Sequence, residues 1–141
     1  MAAASDEKTI VVGIGLIWSG DQLVVGVRQP GSALAGRHEF PGGKCHPGES
    51  PALAVIRESF EETGLSIELI GLRLRTLHRY AHGQIDLHFF DCRLPLEQPL
   101  KSPFEWRHVR ELGSLLFPDG NAELLTDLAK RPFPMTTTNP T

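Results

Sequence analysis

The stretch from Ser50 to Gly64 constrains the fold most, because it marks one helix at both ends. Ser50 is an N-cap residue, Pro51 suits the first helical position, and Gly64 suits the left-handed stop. Around it lie runs with the alternation and β-branching of strands. Thr9–Trp18 and Leu23–Val27 precede it, joined as a hairpin by the turn residues Ser19-Gly20-Asp21. Ser66–Ile70, Leu72–Leu77 and Ile85–Leu94 follow, the last two joined across His82-Gly83, and Trp106–Val109 reads as a further short strand. A final helix, capped by Asp119 or Asn121, is expected to run through Lys130 with Leu124, Leu125 and Leu128 inward. Strands that precede, separate and follow two helices predict an α/β (α+β) fold, a mixed β-sheet flanked by helices on both faces.

A chain of 141 residues makes one ordinary domain, here residues 9–131, with 1–8 as a flexible N-terminus. Residues 132–141 are rich in Pro and Thr and are expected to hang loose as a disordered tail. With 40% apolar and 22% charged residues the chain reads as soluble and globular. Fourteen Lys and Arg against 17 Asp and Glu give −3, which lacks the basic excess that a nucleic-acid polymer requires. A small phosphorylated substrate stays open, because a divalent cation can supply positive charge. No apolar run approaches membrane-spanning length, and Met1–Lys8 has no secretory apolar core. Two cysteines, Cys45 and Cys92, are too few for a disulfide framework and suit a reducing, cytoplasmic setting. The six histidines show no zinc-ligand spacing.

The chemistry concentrates on the Ser50–Gly64 helix. At about 100° per residue, Glu61 and Glu62 fall about 60° and about 40° to either side of Glu58. Leu53, Ile56 and Phe60 lie on the opposite side of that wheel and are expected to pack on the sheet. Carboxylates at i, i+3 and i+4 repel one another, and only Arg57 stands near to offset them. Such a face is either solvated surface or a site for a hard cation that shares its ligands with substrate phosphates.

Gly43, Glu49, Arg57-Glu58, Glu61-Glu62 and Gly64, followed by Leu65, stand in one continuous spacing. This run resembles the Nudix box, G-x5-E-x7-R-E-U-x-E-E-x-G-U, where U is a bulky aliphatic residue. Ser59 departs from it at a U position. The resemblance implies a Nudix α/β/α sandwich in which Glu58, Glu61, Glu62 and the carbonyl of Gly42 hold Mg²⁺ or Mn²⁺. It also implies that Arg57 orients a carboxylate with Glu49 as its partner, and that the metal ion generates hydroxide from bound water or, instead, one helix carboxylate, Glu61 first among them, takes the proton from that water. The expected reaction is hydrolysis of a nucleoside triphosphate to the monophosphate and pyrophosphate.

The flanking segments His38-Glu39-Phe40-Pro41-Gly42-Gly43-Lys44 and Phe117-Pro118-Asp119-Gly120-Asn121 are similar to the MutT-like branch of that superfamily. By that likeness the substrate is 8-oxo-dGTP or a related oxidised purine nucleotide, cleared from the pool in the service of DNA repair. Asn121 would then bind the base, Phe40 would contact it, and Arg28 would line the pocket. From the residues alone, Asn121 could equally cap the last helix, Arg28 end a strand, and Phe40 belong to the core. Other readings are hydrolysis of CTP, another (d)NTP or a nucleotide sugar, and a non-catalytic Nudix nucleotide-binding module. The expected partner is a small nucleotide, with no nucleic-acid polymer and no membrane, on a monomer or homodimer.

Overall fold

The computed structural model describes Lys8–Met135. Strand β1 (Lys8–Ser19) and β2 (Gln22–Val27) form the expected hairpin, with Trp18 opposite Leu23. Two short strands, β3 (His38–Glu39) and β4 (Gly42–Lys44), follow. Helix α1 (Pro51–Thr63) then leads to β5 (Glu68–Tyr80), β6 (Gly83–Arg93) and β7 (Glu105–His108). Short 3-10 turns at Val109–Ser114 and Asp119–Asn121 precede α2 (Ala122–Lys130). The sheet runs β3-β2-β1-β6-β5, with β4 on β1 and β7 on β2. It is mixed, because β1 and β6 are parallel while the other pairs are antiparallel.

The two runs expected at Ser66–Ile70 and Leu72–Leu77 are one strand, β5. Its register against β6 slips between Leu69 and Gly71 and again between Leu72 and Leu74. Gly71 interrupts the hydrophobic alternation without interrupting the strand, as β-bulges do.

Two apolar clusters lie on the two faces of the sheet. Leu16, Leu23, Phe89, Leu124 and Leu128 belong to the α2 side, with Leu125 partly buried against them. Ile17, Val24, Val55, Leu65 and Ile67 belong to the α1 side. Both faces are therefore covered, in the α/β/α arrangement.

One expectation fails. Leu53, Ile56 and Phe60 do not pack on the sheet, and Leu53 and Phe60 are 58% and 59% exposed. The buried face of α1 is Ala54, Val55, Ser59 and Thr63. The reason lies in β1. A Cβ on Gly13 would stand 2.4 Å from the Pro51 carbonyl oxygen, and one on Gly15 would stand 3.1 Å from Val55 and 3.2 Å from Ser59 Oγ. The helix rides directly on this glycine pair, where only small or β-branched side chains fit. A helical wheel weighs hydrophobicity and is blind to so close an approach. Ser59 thus fits where a bulky aliphatic residue would press on Gly15, although its buried hydroxyl has no hydrogen-bond partner.

On the other face, the bulged segment of β5 aims Arg73 into the interior, where its side chain and that of Asp91 are both fully buried. Arg73 Nε donates to both Asp91 oxygens at 3.0 and 3.1 Å, and its Nη1 donates to Asp127 at 2.8 Å. Trp18 Nε1 donates to Asp91 at 2.8 Å, and the Met135 backbone N–H does so at 3.1 Å. Arg73 Nη2 also donates to the Phe133 carbonyl. The segment expected to be loose from Pro132 is thereby held at Phe133 and Met135, while residues 136–141 lie outside the described residues.

Candidate active site

Helix α1 begins and ends as its sequence dictates. Ser50 Oγ accepts from the Leu53 N–H at 3.2 Å, and Gly64, at φ 79°, takes the left-handed position and donates to the Phe60 carbonyl. Between these caps Arg57 gathers the acids. Its Nε and Nη2 grip Glu49 as a fork at 2.8 Å each, and its Nη1 reaches Glu58 at 2.9 Å and Glu61 at 3.1 Å. Nη2 also donates to the Lys44 carbonyl at 3.1 Å, tying the helix to the β4 loop. Hydrogen bonds from the Arg57 fork, and then from the His46 N–H, hold the Glu49 carboxyl down at about 2. Arg57 is held above its ordinary range, chiefly by its bonds to Glu49.

Glu62 sits differently. It accepts the Gly42 N–H at 3.0 Å, and burial pushes its carboxyl up to about 7 against that bond, with the charges of Glu58 and Glu39 adding to the rise. Gly42 and Gly43 are backbone necessities at this spot. A Cβ on Gly42 would stand 2.3 Å from the Gly13 carbonyl oxygen, and one on Gly43 would stand 2.7 Å from the Glu58 carboxylate.

These residues fit a divalent hard cation. Glu58 and Glu61 share a single guanidinium, and the burial of Glu62 disfavours its charge, so the face is short of positive charge. Among the described residues no three carboxylates close into a ready-made cage. Mg²⁺ does not need one, since it keeps waters and takes ligands from substrate phosphates.

Beside this face lies a cavity of about 510 Å³, within the ordinary range for a small-molecule site. Gly42 and Gly43 form one end, and Pro118, Asp119, Gly120 and Asn121 another wall. Val12, Ile14, Phe40, Ile85 and Leu87 supply apolar lining. Phe40 serves core and cavity together, stacked on Phe117 with ring centroids 4.8 Å apart. Asn121 is only 8% exposed and makes no side-chain cap bond to α2, which starts from a 3-10 turn instead. Its amide therefore stays available to the cavity. Arg28 lines the same space, with Nη1 on Glu39 at 3.0 Å and Nε on the Ala33 carbonyl at 2.6 Å.

Arg28, Phe40, Gly42 and Asn121 thus meet around one cavity, and Glu49, Arg57, Glu58, Glu61 and Glu62 cluster next to Gly42–Gly43. Sequence reasoning missed Arg37, Glu39, His78 and Tyr80, which also line the cavity. His78 and Tyr80 share the even phase of β5, a signal obscured when that strand is read as ending at Leu77.

The NUDIX domain family model matches residues 13–127. The chain is 28% identical over 127 residues to the 8-oxo-dGTP diphosphatase of Escherichia coli K12, covering 87% of this chain and 98% of that protein. It is 31% identical over 124 residues to the 8-oxo-dGTP diphosphatase of Haemophilus influenzae, covering 85% and 91%. The solution structure of the E. coli ORF135 protein superposes with a TM-score of 0.76 at 24% identity, over 92% of this chain and 96% of that one. With every fixed residue of the box present from Gly43 to Gly64 and the family matched from β1 to α2, the chain belongs to the Nudix family and is a MutT-like Nudix hydrolase.

Proposed function

We propose that this enzyme hydrolyses a purine nucleoside triphosphate to the monophosphate and pyrophosphate, with 8-oxo-dGTP or a related oxidised purine nucleotide as its substrate. The carrying observation is that one cavity joins the unspent amide of Asn121 to Gly42–Gly43, next to the carboxylate face of α1. An amide donates and accepts on neighbouring atoms, which matches a purine edge bearing O6 and a protonated N7. Phe40 and the aliphatic lining take the base by apolar contact, and Arg28 closes the side of the pocket. The diphosphatases of E. coli and H. influenzae support this substrate class.

Glu58, Glu62 and the Gly42 carbonyl would hold Mg²⁺, which when bound neutralises phosphate charge and makes water a better nucleophile. Arg57 keeps Glu58 and Glu61 oriented through Nη1, and Glu49 keeps Arg57 from turning away. Glu61, 54% exposed at its side chain, takes the proton from the attacking water. A cytoplasmic location places the enzyme with the nucleotide pool it cleanses.

A pyrophosphate-release screen across normal and oxidised nucleotides tests the substrate. The expected order is 8-oxo-dGTP above dGTP and CTP. Equal or faster turnover of CTP or another pyrimidine triphosphate would overturn the oxidised-purine assignment and leave the family intact.

Glu62 adds a pH dependence. Its folded value of about 7 lies above the ordinary 4.5, so the folded protein binds this proton more tightly than the unfolded chain does. In metal-free protein the resulting stability is fully present below 4.5 and is lost as pH rises through about 7. A divalent cation binds the ionised form and expels the proton. Calorimetric Mg²⁺ titration is therefore expected to give at least about tenfold tighter binding at about pH 8.5 than at about pH 5.5. Glu62→Gln is expected to flatten that difference. A wild-type affinity that does not change with pH would contradict this account of Glu62.

A further inference from the structure

Arg28 and Arg37 both line the cavity, yet only Arg28 is committed within the protein. Its guanidinium is bonded to Glu39 and to the Ala33 carbonyl. Arg37 is half-buried, and its guanidinium makes no hydrogen bond, ion pair or ring contact with any described residue. Its backbone, by contrast, is fixed from both sides. The Arg37 N–H donates to the Leu34 carbonyl at 3.0 Å, and the Arg37 carbonyl accepts from the Arg28 N–H at 2.9 Å. The Gly36 N–H returns to the Arg28 carbonyl at 2.9 Å and closes the loop on itself. Leu34 is held at φ 58°, unusual for a residue with a side chain, and it too lines the cavity. The loop thus presents one anchored cation with all of its donors free.

The surroundings make that cation conspicuous. The cavity wall carries the carboxylates of Glu39 and Asp119, and Glu58 stands just behind Gly43. Arg28 is neutralised by Glu39, and Arg57 is spent on Glu49, Glu58 and Glu61. The helix carboxylates lie beyond Gly42–Gly43, outside the cavity lining, whereas Arg37 faces the cavity itself. A nucleotide that sends its outer phosphates toward α1 leaves the phosphate next to the ribose within the cavity. A guanidinium fork matches two oxygens of that group, where an ammonium offers only a point charge.

We propose that Arg37 is the phosphate-binding arginine of the cavity, gripping the ribose-proximal phosphate that the monophosphate product retains. This rests on the reading of the enzyme as a nucleoside triphosphate pyrophosphohydrolase. Arg37→Ala is expected to raise KM for the preferred triphosphate about tenfold or more while kcat changes less than about threefold, and Arg37→Lys is expected to recover part of the loss. A second measurement isolates the phosphate. Fluorescence titration of metal-free protein is expected to show wild type preferring dGMP to deoxyguanosine, and Arg37→Ala binding the two alike. Thermal melting of Arg37→Ala is expected to match wild type, because the side chain holds no described partner. An Arg37→Ala variant with the wild-type KM and the wild-type preference for dGMP would overturn the proposal. A wild-type protein that releases pyrophosphate from no nucleoside triphosphate would overturn the functional reading, and the proposal with it.

Discussion

Glu58→Gln is expected to lower kcat for pyrophosphate release by on the order of a hundredfold or more, with little change in melting temperature. Glu58 is boxed in by Arg57 Nη1 at 2.9 Å and by the backbone of Gly43, against which any Cβ would collide with its carboxylate. The amide keeps the shape and removes the charge. Glu61→Gln and Glu62→Gln are expected to fall in the same class, because all three acids share one helix face, with Glu58 and Glu61 on the Arg57 guanidinium and Glu62 on the Gly42 N–H. Glu49→Gln is expected to cost less, about tenfold to a hundredfold, because it acts only by holding Arg57. Steady-state kinetics across the four variants check the ranking. A Glu49 variant more damaged than the Glu58 variant would contradict this division between metal-holding and positioning residues.

The largest expected effect on stability lies on the α2 side of the sheet, at Arg73. Arg73→Met leaves the carboxylate of Asp91 fully buried with no counter-charge, which typically costs about 3–5 kcal/mol. Total stabilities are commonly about 5–15 kcal/mol, so this is a large share. The variant also loses the bonds to Asp127, Arg131 and Phe133 that hold the end of α2 and the segment after it. Thermal denaturation is expected to show a drop of roughly 10 °C or more. The double variant Arg73→Met, Asp91→Leu is expected to regain part of it, because the buried charge goes with its partner. An Arg73→Met protein that melts with wild type would show that the pair contributes nothing.

What the sequence reveals follows from the range of the interactions concerned. The ends of α1 are legible because Ser50, Pro51 and Gly64 act on their own neighbours, and the β1–β2 turn is legible for the same reason. The carboxylate face is legible because helical spacing alone brings Glu58, Glu61 and Glu62 together. The buried face of α1 is not, since it is decided by Gly13 and Gly15 on another strand. Arg73 cannot be recognised as a core residue from its neighbours, because its partners Asp91 and Asp127 lie 18 and 54 residues away. Arg28 is marked along the chain by its place at the end of a strand, but Arg37 is not, and only the structure shows Arg28 spent on Glu39 and the Ala33 carbonyl while Arg37 has no described side-chain partner. The break expected at Gly71 is a local signal overruled by the β6 ladder, which carries the strand through a bulge.

The carboxylate face of α1 is expected to perform a divalent-cation-dependent hydrolysis. Its most direct test is a Mg²⁺ titration of pyrophosphate release from 8-oxo-dGTP, run on wild type and Glu58→Gln together. Saturable activation of wild type, abolished by a chelator and nearly absent in the variant, is the predicted result. Release that persists in chelator, or a variant with the wild-type activation curve, would contradict it.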